Sequence, residues 1–108
     1  MTFNDYTTAA KKTATYPKDV ALAYLIMGAA GEAGEMCNKY KKVLRDQEGV
    51  LIEENVEKLL DEAGDVLWYL ALLADELGTS LEEVAKNNIV KLASRAARNK
   101  IAGSGDTR

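Results

Sequence analysis

Two apolar stripes at helical spacing run through this 108-residue chain, and both are too long for it. Leu22, Leu25, Ile26, Ala29, Ala33, Met36, Tyr40, Val43 and Leu44 recur at intervals of three and four between about Lys18 and Asp46. Ile52, Val56, Leu59, Ala63, Val66, Leu70, Leu73 and Leu77 do the same between about Leu51 and Leu77. A helix of about 28 residues is ~42 Å long. A compact chain of this size has a radius of gyration of ~13 Å and a diameter of ~34 Å. One copy cannot wrap both helices evenly. The pattern therefore predicts two long antiparallel helices in a helical bundle completed by oligomerisation, as at least a homodimer.

The remaining segments are short. Asn4 or Asp5 caps an expected first helix carrying Tyr6, Ala9, Ala10 and Thr13. Pro17 ends the break that follows it and suits the first turn of the next helix. Gln47, Glu48 and Gly49 close the second helix, and Gly78 closes the third. Thr79 or Ser80 caps a fourth helix with Glu82 and Glu83 in its first turn, fading near Arg98. The tail from Gly103 to Arg108 is expected to be a flexible loop. No strand pattern occurs, so the reading is a single all-α domain over residues 1–108.

Composition removes several chemistries. There is no histidine, which excludes Ser-His-Asp and Cys-His nucleophilic sites, the usual zinc sites and Glu-x-x-His di-iron bundles. Cys37 is the only cysteine, borders the apolar stripe and reads as a small core residue. The net charge of −3 gives no bulk attraction to DNA, RNA or an anionic membrane. No N-terminal stretch reads as a signal peptide and no apolar run approaches ~18 residues, so a cytoplasmic protein is expected.

Glu32-Ala33-Gly34-Glu35-Met36 and Glu62-Ala63-Gly64-Asp65-Val66 repeat one pattern, each in the middle of a long helix. Each puts two acids at i and i+3, neighbours on the helix surface. Spacing alone is weak, since Glu54 and Glu57 share it and most such pairs are solvated charge. The helical wheel separates them. Glu32 and Glu62 fall at the edge of their stripes, Glu35 and Asp65 roughly 60° further out, and Glu54 and Glu57 nearly opposite. A hairpin of the two helices brings the marked pairs together at the rim of the core. Four converging carboxylates repel, and a divalent cation resolves the repulsion. Oxygen-only ligands select magnesium, manganese or calcium. An open magnesium site of this kind favours a phosphate ester.

Cations stand nearby. Lys39 and Lys42 follow the first acid pair on the same flank, and Asn88, Lys91 and Arg95 lie on or beside the stripe of the fourth helix. A bound polyphosphate would partner them; equally, their stems can lie along the core with their heads in water. Tyr69 lies two turns beyond Glu62 on the acid flank and is the aromatic candidate for the pocket. Trp68 points away from the stripe and is expected at a subunit interface. Gly34 and Gly64 are expected at close helix–helix contacts.

The ordered set of Glu32-x-x-Glu35, Glu62-x-x-Asp65 and Asn88-x-x-Lys91 resembles the MazG-like nucleotide pyrophosphohydrolases. These belong to the all-α NTP pyrophosphatase superfamily, with dimeric dUTPases and phosphoribosyl-ATP pyrophosphohydrolases. Tyr16-Pro17, the run Gly31 to Glu35, the run Asp65 to Leu70 and the tail Gly103 to Asp106 extend the likeness over most of the chain. The resemblance implies hydrolysis of a nucleoside triphosphate to the monophosphate and pyrophosphate. It implies magnesium, with manganese as a substitute, on Glu32, Glu35, Glu62 and Asp65. Glu35 and Asp65 are the catalytic candidates, and Lys39, Lys42, Tyr69, Asn88, Lys91 and Arg95 the substrate contacts. Some relatives carry an extra acid where this chain has Gly31, and many have Tyr-Gln where it has Tyr6-Thr7. The competing expectation is a non-enzymatic helical oligomer, a scaffold or regulatory partner.

Overall fold

A computed structural model describes residues 1–99 and 101–106. It is all-α: α1 Phe3–Lys11, a single 3-10 turn Lys18–Val20, α2 Ala21–Asp46, α3 Glu53–Glu76 and α4 Leu81–Ala97, with no strand among the described residues. α2 and α3 form the antiparallel hairpin; α1 packs on α3, and α4 packs on α1 and α3 rather than on α2.

Local chemistry sets the helix ends. The first cap is Thr2, not Asn4 or Asp5. Thr2 Oγ1 accepts the Asp5 amide at 3.0 Å, and Asp5 Oδ2 accepts the Thr2 amide at 3.0 Å, so Asp5 is the reciprocal acid of a capping box. Beyond α2 the backbone turns left-handed at Glu48 (φ 53) and Gly49 (φ 77), and Val43 O accepts the Gln47 and Gly49 amides. Asn55 Oδ1 then accepts the Ile52 amide at 3.0 Å and Gln47 Nε2 at 2.8 Å, which clamps the hairpin turn to the start of α3. Of the two residues expected to cap α4, Ser80 does so, its Oγ accepting the Glu83 amide at 3.2 Å.

The core lies at the end of the hairpin covered by α1. Ala10, Tyr16, Ala21, Leu25 and Leu72 are buried there, with Tyr6, Trp68, Tyr69 and Leu73 packed against them. Trp68 therefore belongs to the intrachain core: its Nε1 donates to Thr13 Oγ1 at 3.0 Å and its ring meets Tyr16 and Tyr69 edge-on. The wheel misplaced it because the segment after α1, far away in sequence, supplies its partners.

The hairpin does not pair stripe to stripe. Leu22, Ile26 and Leu44 on α2, Val56, Leu60 and Leu70 on α3, and Leu77 just past its end stay exposed. So do Val84, Ile89, Val90 and Leu92 on α4. The extents of 43 × 43 × 28 Å and the radius of gyration of 16.7 Å are those of an open arrangement rather than a compact one. Gly34 and Gly64 do not sit at close contacts within the chain, since a Cβ on either meets nothing within 4 Å. The close contact is at Gly28, where a Cβ would overlap the Tyr69 ring.

By length and composition, residues 18–46 form the single described helix able to cross a membrane. Glu32 and Glu35 interrupt that stretch at its middle. The described part of the tail folds back on α4: Asp106 Oδ1 accepts Lys91 Nζ at 3.0 Å and Arg95 Nη2 at 3.2 Å. Thr107 and Arg108, the end of the tail expected to be flexible, lie outside the described residues.

Candidate metal centre

The middle of the hairpin carries the acids. Ala21, Leu25 and Val43 of α2 are buried, and Gly28, Glu32 and Lys39 fall on the same row. On α3, Leu59, Glu62, Val66, Tyr69 and Leu72 make the matching row. Glu32 and Glu62 are thus in the facing rows themselves, closer to the centre than the edge position read from the wheel.

One carboxylate oxygen each from Glu32, Glu62 and Asp65 lies within 4.8 Å of the others. Glu35 is exposed and stands outside this trio, although its charge acts on Glu32 and Lys39. Glu62 is only 9% exposed. Its Oε1 accepts a hydrogen bond from Lys39 Nζ, and its Oε2 is buried without a donor. Glu32 and Glu62 are in side-chain contact across the hairpin. That contact, then burial and the charges of Glu62, Asp65 and Glu35, hold the Glu32 carboxyl above its ordinary value. The Lys39 ammonium, followed by the contact with Glu32, holds Glu62 below its own. A buried oxygen without a donor, an all-oxygen ligand set and excess negative charge fit a hard divalent cation. Glu32, Glu62 and Asp65 would hold it.

Aromatic rings border one side. Tyr69 has its phenol pushed up by burial first and then by Tyr24, Glu32 and Asp65. The Tyr6 phenol is pushed up by burial and then by Asp65. Tyr24 stacks on Tyr16 with ring centroids 5.3 Å apart and meets Tyr69 at 6.3 Å. Sequence reasoning missed Tyr24 in this role. Its signal was the spacing 24, 28, 32, which puts it on the row of Glu32.

On the other side, toward the hairpin turn, a cleft of about 370 Å³ is lined by Lys39, Lys42, Asp46, Asn55 and Lys58 among others. Lys58 was also missed; it lies one turn before Glu62 and pairs with Glu54 at 2.8 Å.

Of the site residues expected from sequence, Glu32, Glu62, Asp65, Lys39 and Tyr69 come together, with Glu35 and Lys42 alongside. Asn88, Lys91 and Arg95 do not join them. Asn88 and Lys91 line a separate hollow with Val84, and Arg95 is 4% exposed and bound to Asp106 and to Gly105 O.

Residues 21–98 match the model of the MazG nucleotide pyrophosphohydrolase domain. The chain is 48% identical over 109 aligned residues to the Gene 37 protein of Mycobacterium phage L5, covering 95% of this chain and 96% of that one. It is 35% identical over 72 residues to the uncharacterized protein YvdC of Bacillus subtilis, covering 65% and 68% of the two chains. No solved structure matches. With most of its length inside that match, and the acid trio folded from its two acidic repeats, the chain belongs to the MazG nucleotide pyrophosphohydrolase domain family.

Proposed function

We propose that this protein hydrolyses nucleoside triphosphates, deoxynucleotides among them, to the monophosphate and pyrophosphate in a magnesium-dependent reaction, with manganese as a substitute, and so cleans the nucleotide pool. The observation that carries the reading is the convergence of Glu32, Glu62 and Asp65 around a buried oxygen that has no donor. Held by Glu32, Glu62 and Asp65, a divalent ion would supply Lewis-acid polarisation of the α-phosphoryl group, a more acidic water and neutralisation of pyrophosphate charge.

The chain's own groups do the rest. Glu35, on the open side of the trio, and Asp65 orient the water and accept its proton. Lys39 and Lys42 take phosphate oxygens, and Tyr69 bounds the base side. Lys91 and Arg95 already hold an anion, the Asp106 carboxylate. Apart from the acids within one chain, they would offer a phosphoryl oxygen the same pairing, with Asn88 beside it, where assembly of copies brings α4 to an acid trio. The partner is a free nucleotide, not DNA or RNA, and the site of action is the cytoplasm, away from the membrane.

The test is incubation with the common and damaged NTPs and dNTPs plus magnesium or manganese, with products separated by ion exchange. Monophosphate and pyrophosphate are expected. Orthophosphate would place cleavage at another bond. No turnover of any nucleotide would leave the scaffold reading, which the exposed apolar surface favours.

That surface also supports assembly as a homodimer or a tetramer. Light scattering at micromolar concentration is expected to give the mass of two to four chains. A mass of 11.8 kDa would overturn this.

A further inference from the structure

The ammonium of Lys39 stands where the acid trio requires positive charge. It serves Glu62 Oε1 and leaves Oε2 of the same carboxylate buried without a donor. The Lys39 side chain is 33% exposed and also lines the cleft that holds Lys42 and Lys58. A lysine is a point charge on a flexible four-carbon stem, so one side chain serves both places in turn.

We propose that Lys39 is the resident counter-cation of the acid trio: a divalent metal ion displaces its ammonium from Glu62, and the freed ammonium turns into the cleft to bind the polyphosphate that accompanies the metal. The proposal rests on the metal-dependent reading of the site. A metal ion and an ammonium repel and compete for the same oxygen. The metal ion wins because it also satisfies Glu62 Oε2 and the carboxylates of Glu32 and Asp65, which one ammonium leaves unserved. The displaced charge then joins Lys42 and Lys58 in a cleft whose lining acid is Asp46. Asp46 is already held by Arg45 and Lys58 by Glu54, so the displaced Lys39 and Lys42 are the ammonium groups that call for an anion. Acids at one end and cations at the other match a ligand that is itself a cation joined to an anion, a metal–polyphosphate complex. Metal and anion therefore bind with positive coupling, each clearing the place of the other.

Calorimetric titration of Mn²⁺ alone into wild type, Lys39→Met and Lys39→Gln tests the first half. Both variants are expected to bind Mn²⁺ roughly fivefold or more tightly than wild type, because no ammonium has to leave. The glutamine keeps a donor for Glu62 and so covers a failure of the methionine variant to fold. Titration of inorganic pyrophosphate at saturating Mn²⁺ tests the second half, with affinity in the variants expected to fall by roughly fivefold or more. Unchanged or weaker Mn²⁺ binding in a folded variant overturns the proposal, as does unchanged pyrophosphate binding. A wild type that binds no Mn²⁺ brings down the metal-dependent reading itself, and the proposal with it.

Discussion

Asp65→Asn is expected to reduce nucleotide turnover by roughly 10²–10³-fold or more, the usual cost of removing a group that manages charge in a transition state, while the apo protein melts no lower than wild type. The two effects have opposite signs for one reason. Asp65 is exposed and lies within 4.8 Å of two like charges, so neutralising it relieves repulsion in the empty site. The same change removes an anionic oxygen from the metal's ligand set. Wild type should gain ~2.7 kcal/mol at a magnesium or manganese concentration ~100 times the dissociation constant, because the ion binds the folded site and not the unfolded chain. For a domain of this size that raises the melting temperature by about 10 °C or more. In Asp65→Asn the metal-dependent rise should shrink sharply. Scanning calorimetry with and without metal, beside the turnover assay, reads both. Melting of the wild type that is indifferent to millimolar magnesium and manganese would show that the acids hold no ion.

Gly28→Ala is expected to lower the melting temperature by roughly 10 °C, from about 2 kcal/mol of net strain. Alanine gains ~1 kcal/mol of helix propensity over glycine. Here that gain is outweighed because the new methyl overlaps the Tyr69 ring, which is fixed by Trp68 and Tyr24. Gly34→Ala and Gly64→Ala supply the control. Their methyls meet nothing within the chain, so each should stabilise by up to ~1 kcal/mol. Destabilisation at Gly34 or Gly64 instead would locate the contact of a second copy there. Thermal melts of the three variants at one protein concentration decide both points.

The sequence made the helices legible because each is bounded by strong local chemistry: Pro17 before α2, Gly49 after it, Gly78 after α3 and Ser80 before α4. It also exposed the trio, since the two Glu-Ala-Gly-acid segments repeat at mid-helix. What it hid was the face each helix turns inward. Periodicity records apolar side chains, and the inner row holds an ion pair, Lys39 with Glu62, where a hydrophobic reading expects leucines. A half-buried pair of opposite charges is indistinguishable from two surface charges until the helices meet. The same rotation separates Glu35 from the trio and leaves Leu60 and Leu70 in the open. The distance of Lys91 and Arg95 from the acids was equally illegible, because a helix wheel gives direction about an axis and not the neighbour an axis packs against. Both cations instead meet Asp106, a tertiary pairing that no local pattern announces.

Trp68 is the only tryptophan in the chain. Its indole is fastened to Thr13 at 3.0 Å, and its ring centroid is 5.0 Å from that of Tyr69, whose phenol feels Glu32 and Asp65. The protein therefore carries an intrinsic optical reporter. Its emission is expected to respond to two events without any label: undocking of α1 and the segment after it, which would break the indole hydrogen bond and admit water, and occupation of the acid trio, which would change the electric field at the neighbouring ring. A fluorescence titration with metal, and then with nucleotide, can resolve the order in which the two ligands arrive.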